Sequence, residues 1–366
     1  MTLSFSALPA VFGFLHKRSA VCADLTTGFT GVLTMANIRD IAQKCGVNIA
    51  TVSRALNGKK GVSEKLRLKI SSVANDLGYS RDPLAASLIS KRSGIVGLVV
   101  PDISNPYYAS VAQGVNAQLR EQGYASFLCD SRRDRTLERQ LFGMLCAYHV
   151  EGAVIISVSA TDEDLKILND RKIHVVCADN QISPRYTSVV NDNYQGACAM
   201  ALHLINNCKV SKIAAVMGTS DATTTRERLR ALSDTLKELG KSDTLYKTFY
   251  IIPDYDSALE RAGEIVTCGA DCLFCVNDNV ALALMHYCQT HGISVPEQIK
   301  ISGFDDIPEA SMVGVPLTTV HQHKYVLGRK AAERLLFEMQ NPDTTPMRIS
   351  LIPTLVARRS CGESTR

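Results

Sequence analysis

Several absences narrow this chain of 366 residues before anything positive is read from it. No apolar run reaches the roughly 18 residues that a membrane-spanning helix needs, so no membrane span is expected. There is no Gly-x-Ser-x-Gly nucleophile turn, no His-Glu-x-x-His zinc helix and no phosphate-binding P-loop. The Gly303–Asp306 stretch and the scattered histidines lack partners at useful spacing, so no catalytic constellation emerges and no cofactor is implied. Tryptophan is missing altogether. Cysteine is not scarce, at 12, but Cys129, Cys146, Cys177, Cys198, Cys275 and Cys288 sit inside apolar runs, as reduced core thiols do. Cys268, Cys272 and Cys275 have a metal-like spacing. They straddle an expected helix–strand junction, however, and no second Cys/His cluster completes a site, so no metal is expected. This thiol usage points to a cytoplasmic protein.

Net charge is only +4, but it is unevenly placed. Residues 35–94 hold 11 Lys and Arg against 4 Asp and Glu, whereas the rest of the chain is mildly acidic. A basic head on an acidic body is the pattern of a protein whose head alone meets a polyanion. Residues 1–34 contain the apolar stretch FSALPAVFGFL with no basic segment before it and HKR after it. They read as an unstructured extension or an over-called start, with Met35 as the working start, rather than as a signal peptide.

The segment GVNIATVSRAL (46–56) defines the head. Helical spacing puts Val52, Ala55 and Leu56 on one side, leaving Asn48, Ala50, Thr51, Ser53 and Arg54 on the other. That outer face has no acidic side chain. A short helix from Ile38, capped by Asn37, precedes it through a turn at Gly46. A third helix, begun at Ser63 and stopped at Gly78, follows it with Leu66, Ile70, Val73, Ala74 and Leu77 as its buried stripe. Helix, tight turn, helix and packing helix is the helix-turn-helix plan, whose second helix lies in the DNA major groove. Thr51 and Ser53 suit phosphate oxygens, Ile49 and Ala50 suit thymine methyls, and Arg54 is long enough to fork onto guanine. Next, YSRDPLAASLISKRSG (79–94) reads as a short helix begun at Asp82-Pro83. It is too short to stand alone, so it makes sense as a segment that orders beside a twin and wedges Leu88 between base steps.

From residue 95 the pattern changes to apolar strand runs (IVGLVVPD, ASFLCD, GAVIIS, HVVCAD, SVVND, IAAVMGT, CLFCVND, IKISGFDD), many of them separated by amphipathic helices. Such alternation predicts an α/β body with parallel sheets, long enough for two subdomains. Asp102, Asp130, Asp179, Asp192, Asp278 and Asp305 end strand runs, where open α/β sheets bind ligands. Carboxylates converging from two sheets suit the hydroxyls of a sugar or similar polyol, with purines and other small polar metabolites left open. Asp after a strand also serves commonly as a helix N-cap, and that reading stands beside the first for Asp102, Asp130, Asp192 and Asp278.

Three stretches, IRDIAQKCGVNIATVSRALNG, VSEKLRLKISSVANDLGYSRDPLAASL and IVGLVVPDISNPYYASVAQGV, resemble the lactose-repressor family, and the likeness runs from Met35 to about Arg358–Ser360. The resemblance implies a helix-turn-helix DNA-binding domain (35–80), a hinge helix and linker (81–94) and a periplasmic-binding-protein-like core (95–361) that binds effector and dimerises. It implies that Ile49, Ala50 and Arg54 read double-stranded operator DNA and that Leu88 is the minor-groove wedge. It assigns Arg228, Asn277, Asp305 and, less directly, Asp179 to a small-molecule effector, and it puts Tyr107 near the pocket mouth. Two departures stand out: Ala86-Ser87-Leu88 where the family often has Arg-Ser-Leu, and Ala231-Leu232 where it usually has a glycine and an aromatic. The expected function is a ligand-responsive repressor acting as a cytoplasmic, nucleoid-associated homodimer. A sugar-binding transport protein would have the same body, but the basic head argues against it. A sugar-processing enzyme would need a nucleophile or acid/base pair that the chain does not present.

Overall fold

The computed structural model describes residues 37–56, 58–79, 93–220 and 222–362. The extension 1–34 and the expected hinge helix with Leu88 lie outside the described residues. The chain divides into two compact units, with the boundary at Ala86–Ser87.

The head contains α1 (Ile38–Cys45), α2 (Ile49–Leu56) and α3 (Glu64–Asp76). Asn37 opens α1 as a reciprocal capping box with Asp40, and Gly46 ends it in the left-handed conformation (φ 68°) that the tight turn needs. Asn48 Oδ1 accepts the Thr51 amide at 2.7 Å and starts α2. Ser63 occupies the N-cap of α3, but its side chain accepts no bond there. Ile41, Val52 and Ile70, one from each helix, meet with no exposed surface, and Ala42, Cys45, Ala55 and Ala74 fill in around them. The connection between α2 and α3 is held by Arg67, whose Nη2 donates to the Lys59 carbonyl at 3.1 Å.

The body has two sheets. The first, in the order β11-β5-β4-β3-β1-β2, is built from β1 (Ile95–Val100), β2 (Ala125–Asp130), β3 (Gly152–Ile155), β4 (His174–Ala178), β5 (Thr187–Asn191) and β11 (Arg348–Leu351), and every pairing is parallel. The second, in the order β7-β6-β8-β9, contains β6 (Ile213–Met217), β7 (Leu245–Tyr250), β8 (Cys272–Cys275) and β9 (Lys300–Ser302), again all parallel. A two-stranded antiparallel ribbon joins β10 (Thr319–His321) to β12 (Thr354–Val356). The expected strands are all present. The edge strands β7 and β11 and the ribbon strand β12 are additions; LYKTFY of β7, for example, has three exposed residues, carries Lys247 and lacks the apolar run that marks its neighbour β6.

Between β5 and β10 the chain builds the second half of the body, and it then returns to the first. It crosses at Asn191–Asn193, at His321–Lys324 and again between β11 and β12. The returning helix α13 (Lys324–Gln340) packs on α4 (Pro106–Glu121), the first helix of the body. At that crossing Gly114 and Gly328 face the opposite backbone. A Cβ on Gly114 would overlap the Tyr325 carbonyl, and one on Gly328 would overlap that of Val111. The helices therefore touch backbone to backbone, and Arg329 Nη2 ties the crossing to Gln118 at 2.7 Å and to Glu121 at 2.8 Å. Gly328→Ala must push the two helices apart. We expect it to cost the body about 1–3 kcal/mol or somewhat more, seen as an earlier denaturant midpoint; an unchanged midpoint would mean that the helices cross less closely.

Candidate functional site

Two candidate sites result, one in each unit. In the head, Asn48, Ile49, Ala50 and Arg54 are exposed and Thr51 and Ser53 half-buried, while Val52 and Ala55 are buried on the opposite side of α2. Ile49 leaves 45% of its surface open although it stands at the start of a helix with a packed core behind it. Among these residues Asn48 has a structural task as well, since its side chain caps α2.

The body's site is a cavity of about 510 Å³. Its position follows from strand order. In the first sheet β1 lies between β2 and β3, and in the second β6 lies between β7 and β8. Each arrangement is a switch point, where connections leave to either side and open a crevice at the carboxyl ends of the strands. Residues just after β1, β3, β6 and β8, including Tyr107, Ser159, Thr219 and Asn277, face one another across the cavity. The helices α4, α8 (Thr223–Glu238) and α11 (Asp278–Thr290) begin there.

Tyr107, Asp179, Arg228, Asn277 and Asp305 all line this cavity. Tyr107 is not at the mouth but in the floor, 3% exposed, with its hydroxyl donating to Asp179 Oδ1 and accepting from Asn191 Nδ2 at 3.2 Å. Burial and the neighbouring Asp179 push the Tyr107 hydroxyl well above the usual phenol range. Arg228 donates from Nε and Nη2 to Asn193 Oδ1, at 2.9 and 2.8 Å, and from Nη1 to the Val276 carbonyl. Its guanidinium lies 3.7 Å over the Phe304 ring. Asp305 Oδ1 accepts from Gln322 Nε2 at 2.6 Å. Burial raises the carboxyls of both Asp179 and Asp305, so the floor holds its acids toward the neutral form. Asn277 caps α11 through Val280 and donates to the Pro253 carbonyl at 2.9 Å, so much of its hydrogen-bonding capacity is already used.

The remaining strand-end acids divide between the two readings. Asp192 caps α7 (Asn193–Asn206) through Gln195. Asp102 holds a turn at Ser104, and Asp130 accepts the Arg132 amide; the caps of the helices that follow are Asn105 and Asp134 instead. Asp278 is wholly buried, accepting from Thr319 Oγ1 at 2.6 Å and from the Ile307 amide at 2.9 Å. Its neighbour Asn277 is the cap, so Asp278 is an internal tie between β10 and the loop after β9.

Sequence reasoning passed over Arg132, Arg133 and Gln322, which also line the cavity. The signal was available, because Ser131-Arg132-Arg133 follows a strand end as the aspartates do. Of the eight described non-glycine residues with left-handed φ, four (Arg132, Arg133, Asp179 and Asp305) line the cavity. Such backbone is costly, and its clustering at one cleft marks a site where side-chain direction outweighs local comfort.

Burial pushes the Asp278 carboxyl up to about 6. A folded-state value above the unfolded carboxylate range of about 3.9 means that the fold binds the extra proton, so this group's contribution to stability is lost as pH rises through about 6. Asp278→Asn should flatten that part of the stability profile, measured as urea midpoints across roughly pH 5 to 7.5. An unaltered slope would assign the titration elsewhere.

Residues 37–82 match the family described as bacterial regulatory proteins, lacI family, and residues 201–361 match the periplasmic binding protein-like domain. The chain is 31% identical over 333 residues to the HTH-type transcriptional repressor PurR of Photobacterium profundum, across 89% of this chain and 98% of that protein. It is 29% identical to the HTH-type transcriptional regulator DegA of Bacillus subtilis, across 88% of this chain and 97% of that one. A solved complex of the transcriptional regulator CelR with cellobiose matches with a TM-score of 0.67 at 26% identity, covering 89% of this chain and 99% of that chain. The lac repressor dimer bound to operator and the anti-inducer ONPF shares the fold, with a TM-score of 0.79 at 21% identity over 89% of this chain and 99% of that one.

Proposed function

The chain belongs to the lacI family of bacterial regulatory proteins, and from that premise we propose how its residues divide the work of a ligand-responsive, DNA-binding transcriptional regulator. The helix α2 lies in the major groove of an operator half-site. Ile49 and Ala50 press on base edges, Arg54 forks onto a guanine, and Thr51, Ser53 and Asn48 sit toward the backbone. The observation that carries this reading is the exposed, acid-free face of α2 on a helix whose other face is fully spent in the head core. One head covers one half-site, so the working unit is a homodimer. Leu88 of each protomer wedges into the step between the half-sites. The protein acts as a repressor at the nucleoid, in the cytoplasm.

The cavity takes the effector. Its aromatic rings, Tyr107 and Tyr108, both come from α4, so only one wall offers a ring face. The facing wall supplies Thr219, Thr225, Arg228 and Asn277, a lining suited to the hydroxyls of a sugar or sugar derivative rather than to a flat base held between two rings. The cellobiose complex of a relative in the same fold is consistent with this choice. Effector favours one relative placement of the two halves of the body, and regulation is the resulting shift in population.

Two substitutions separate the tasks. Arg54→Ala should weaken operator binding by about 1–3 kcal/mol, the worth of one bidentate base contact, while leaving effector affinity unchanged. Asp305→Ala should do the reverse: operator binding persists and no longer responds to effector. Fluorescence anisotropy on operator DNA with and without effector reads both, and loss of both activities in either variant would contradict the division.

A further inference from the structure

The charge of the cavity is not distributed as a neutral polyol would require. At its floor Arg228, Asp179 and Asp305 are 4%, 8% and 5% exposed, and each is already hydrogen-bonded within the protein. The outer part differs. Arg132 is exposed, and Arg133 stands between Asp102 at 3.3 Å and Asp254 at 3.7 Å. Both distances are too long for strong hydrogen bonds. Neither arginine side chain donates a hydrogen bond to any described residue, so the Arg132 fork lines the cavity unspent and the Arg133 fork is held there only by two long ion pairs. The acids beside Arg133 are less free. Asp102 accepts the amide and hydroxyl of Ser104, and Asp254 caps the next helix through Ser257. The outer wall adds the start of α8, a 16-residue helix opened by Ala222, which has no side-chain oxygen to cap its first amides. First-turn amides without a side-chain cap among the described residues, and the positive end of the helix dipole, favour an anion.

We propose that the effector is an anionic sugar, a sugar acid or a sugar phosphate, whose charged group lies between Arg132 and Arg133 while its hydroxyls face the floor. The inference rests on the cavity being the effector site and adds the class of molecule that it takes. Planar guanidiniums match carboxylate and phosphate oxygens alike, so the geometry is common to both. Burial also holds the floor carboxyls of Asp179 and Asp305 toward their neutral forms, which lessens their repulsion of an incoming anion.

The test is calorimetric titration of the full chain with matched sets: glucose, glucuronate and glucose 6-phosphate, and the galactose series likewise. An anionic member should bind at least about tenfold more tightly than its neutral counterpart, roughly 1.4 kcal/mol, and the advantage should shrink with added salt. Arg132→Gln and Arg133→Gln should each reduce that ratio. Arg132 is exposed and unpaired among the described residues, so its replacement leaves the fold intact even if that of Arg133 does not. Response to the acid or to the phosphate decides which anion is meant. A neutral sugar that binds as well as its anionic forms, or a ratio unmoved in both variants, overturns the inference and leaves the effector site standing. Binding of no member of either class removes the sugar-effector reading and the inference together.

Discussion

A buried ammonium organises the body. Lys324 is 8% exposed, and its Nζ donates to the carbonyls of Asp305 at 2.5 Å, Asp306 at 2.9 Å and Gln322 at 3.4 Å. Burial lowers its pKa from the usual lysine range, while the nearby Asp305, Asp306 and Asp278 oppose that shift. An ammonium taken from water needs its donors filled, and here they are filled by backbone that has been bent to meet it. Asp305 and Asp306 both take positive φ, 127° and 56°, which turns their carbonyls toward Lys324 and leaves the Asp305 carboxyl pointing at Gln322 and the cavity. The second crossing of the chain is thereby locked to the loop after β9.

The other crossings are tied to the same place. Asn191 accepts the His323 amide at 3.3 Å and donates to Tyr107, and Asn193 receives Arg228. His323 in turn contacts the Ile352 carbonyl at 2.9 Å, next to the third crossing. His321 and Arg358 share Asp306, at 2.8 and 2.7 Å, and hold that carboxyl below its usual range. The cavity floor is therefore also the junction of the two halves of the body. A ligand that touches Arg228, Asp179 and Asp305 touches groups belonging to both halves. Differential contact with two arrangements of those halves is all that a population shift requires. At the outer part, by contrast, the halves meet through the long Arg133–Asp254 pair, partly open to solvent, where a charge contact is worth little.

Arg228 lines the cavity and is also structural. Its sequence context, TTTRERLRAL, predicts a helix and, by resemblance, an effector contact. In the fold it is also a strut, joining Asn193 at the first crossing to the Val276 carbonyl after β8 and lying over Phe304. Ala231 and Leu232, where the family usually has a glycine and an aromatic, are both fully buried on the same helix. In this chain those positions are packing positions.

What the sequence determined by itself was whatever depends on neighbours along the chain. Helix periodicity, the Asn37 and Asn48 caps and the Gly46 turn defined the head, because each is a contact between residues a few positions apart. Apolar runs alternating with amphipathic helices defined two parallel sheets, and strand ends marked where a ligand would lie. Tertiary structure decided which strand-end residues turn inward. Asp179 and Asp305 face the cavity, whereas Asp192 became a cap and Asp278 an internal tie, although all four look alike in the sequence. It also decided the parts played by Lys324, Gln322, Arg132 and Arg133. The partners of Lys324, Gln322 and Arg133 lie up to 121 positions away, as from Arg133 to Asp254, and only the strand order and the three crossings bring them together.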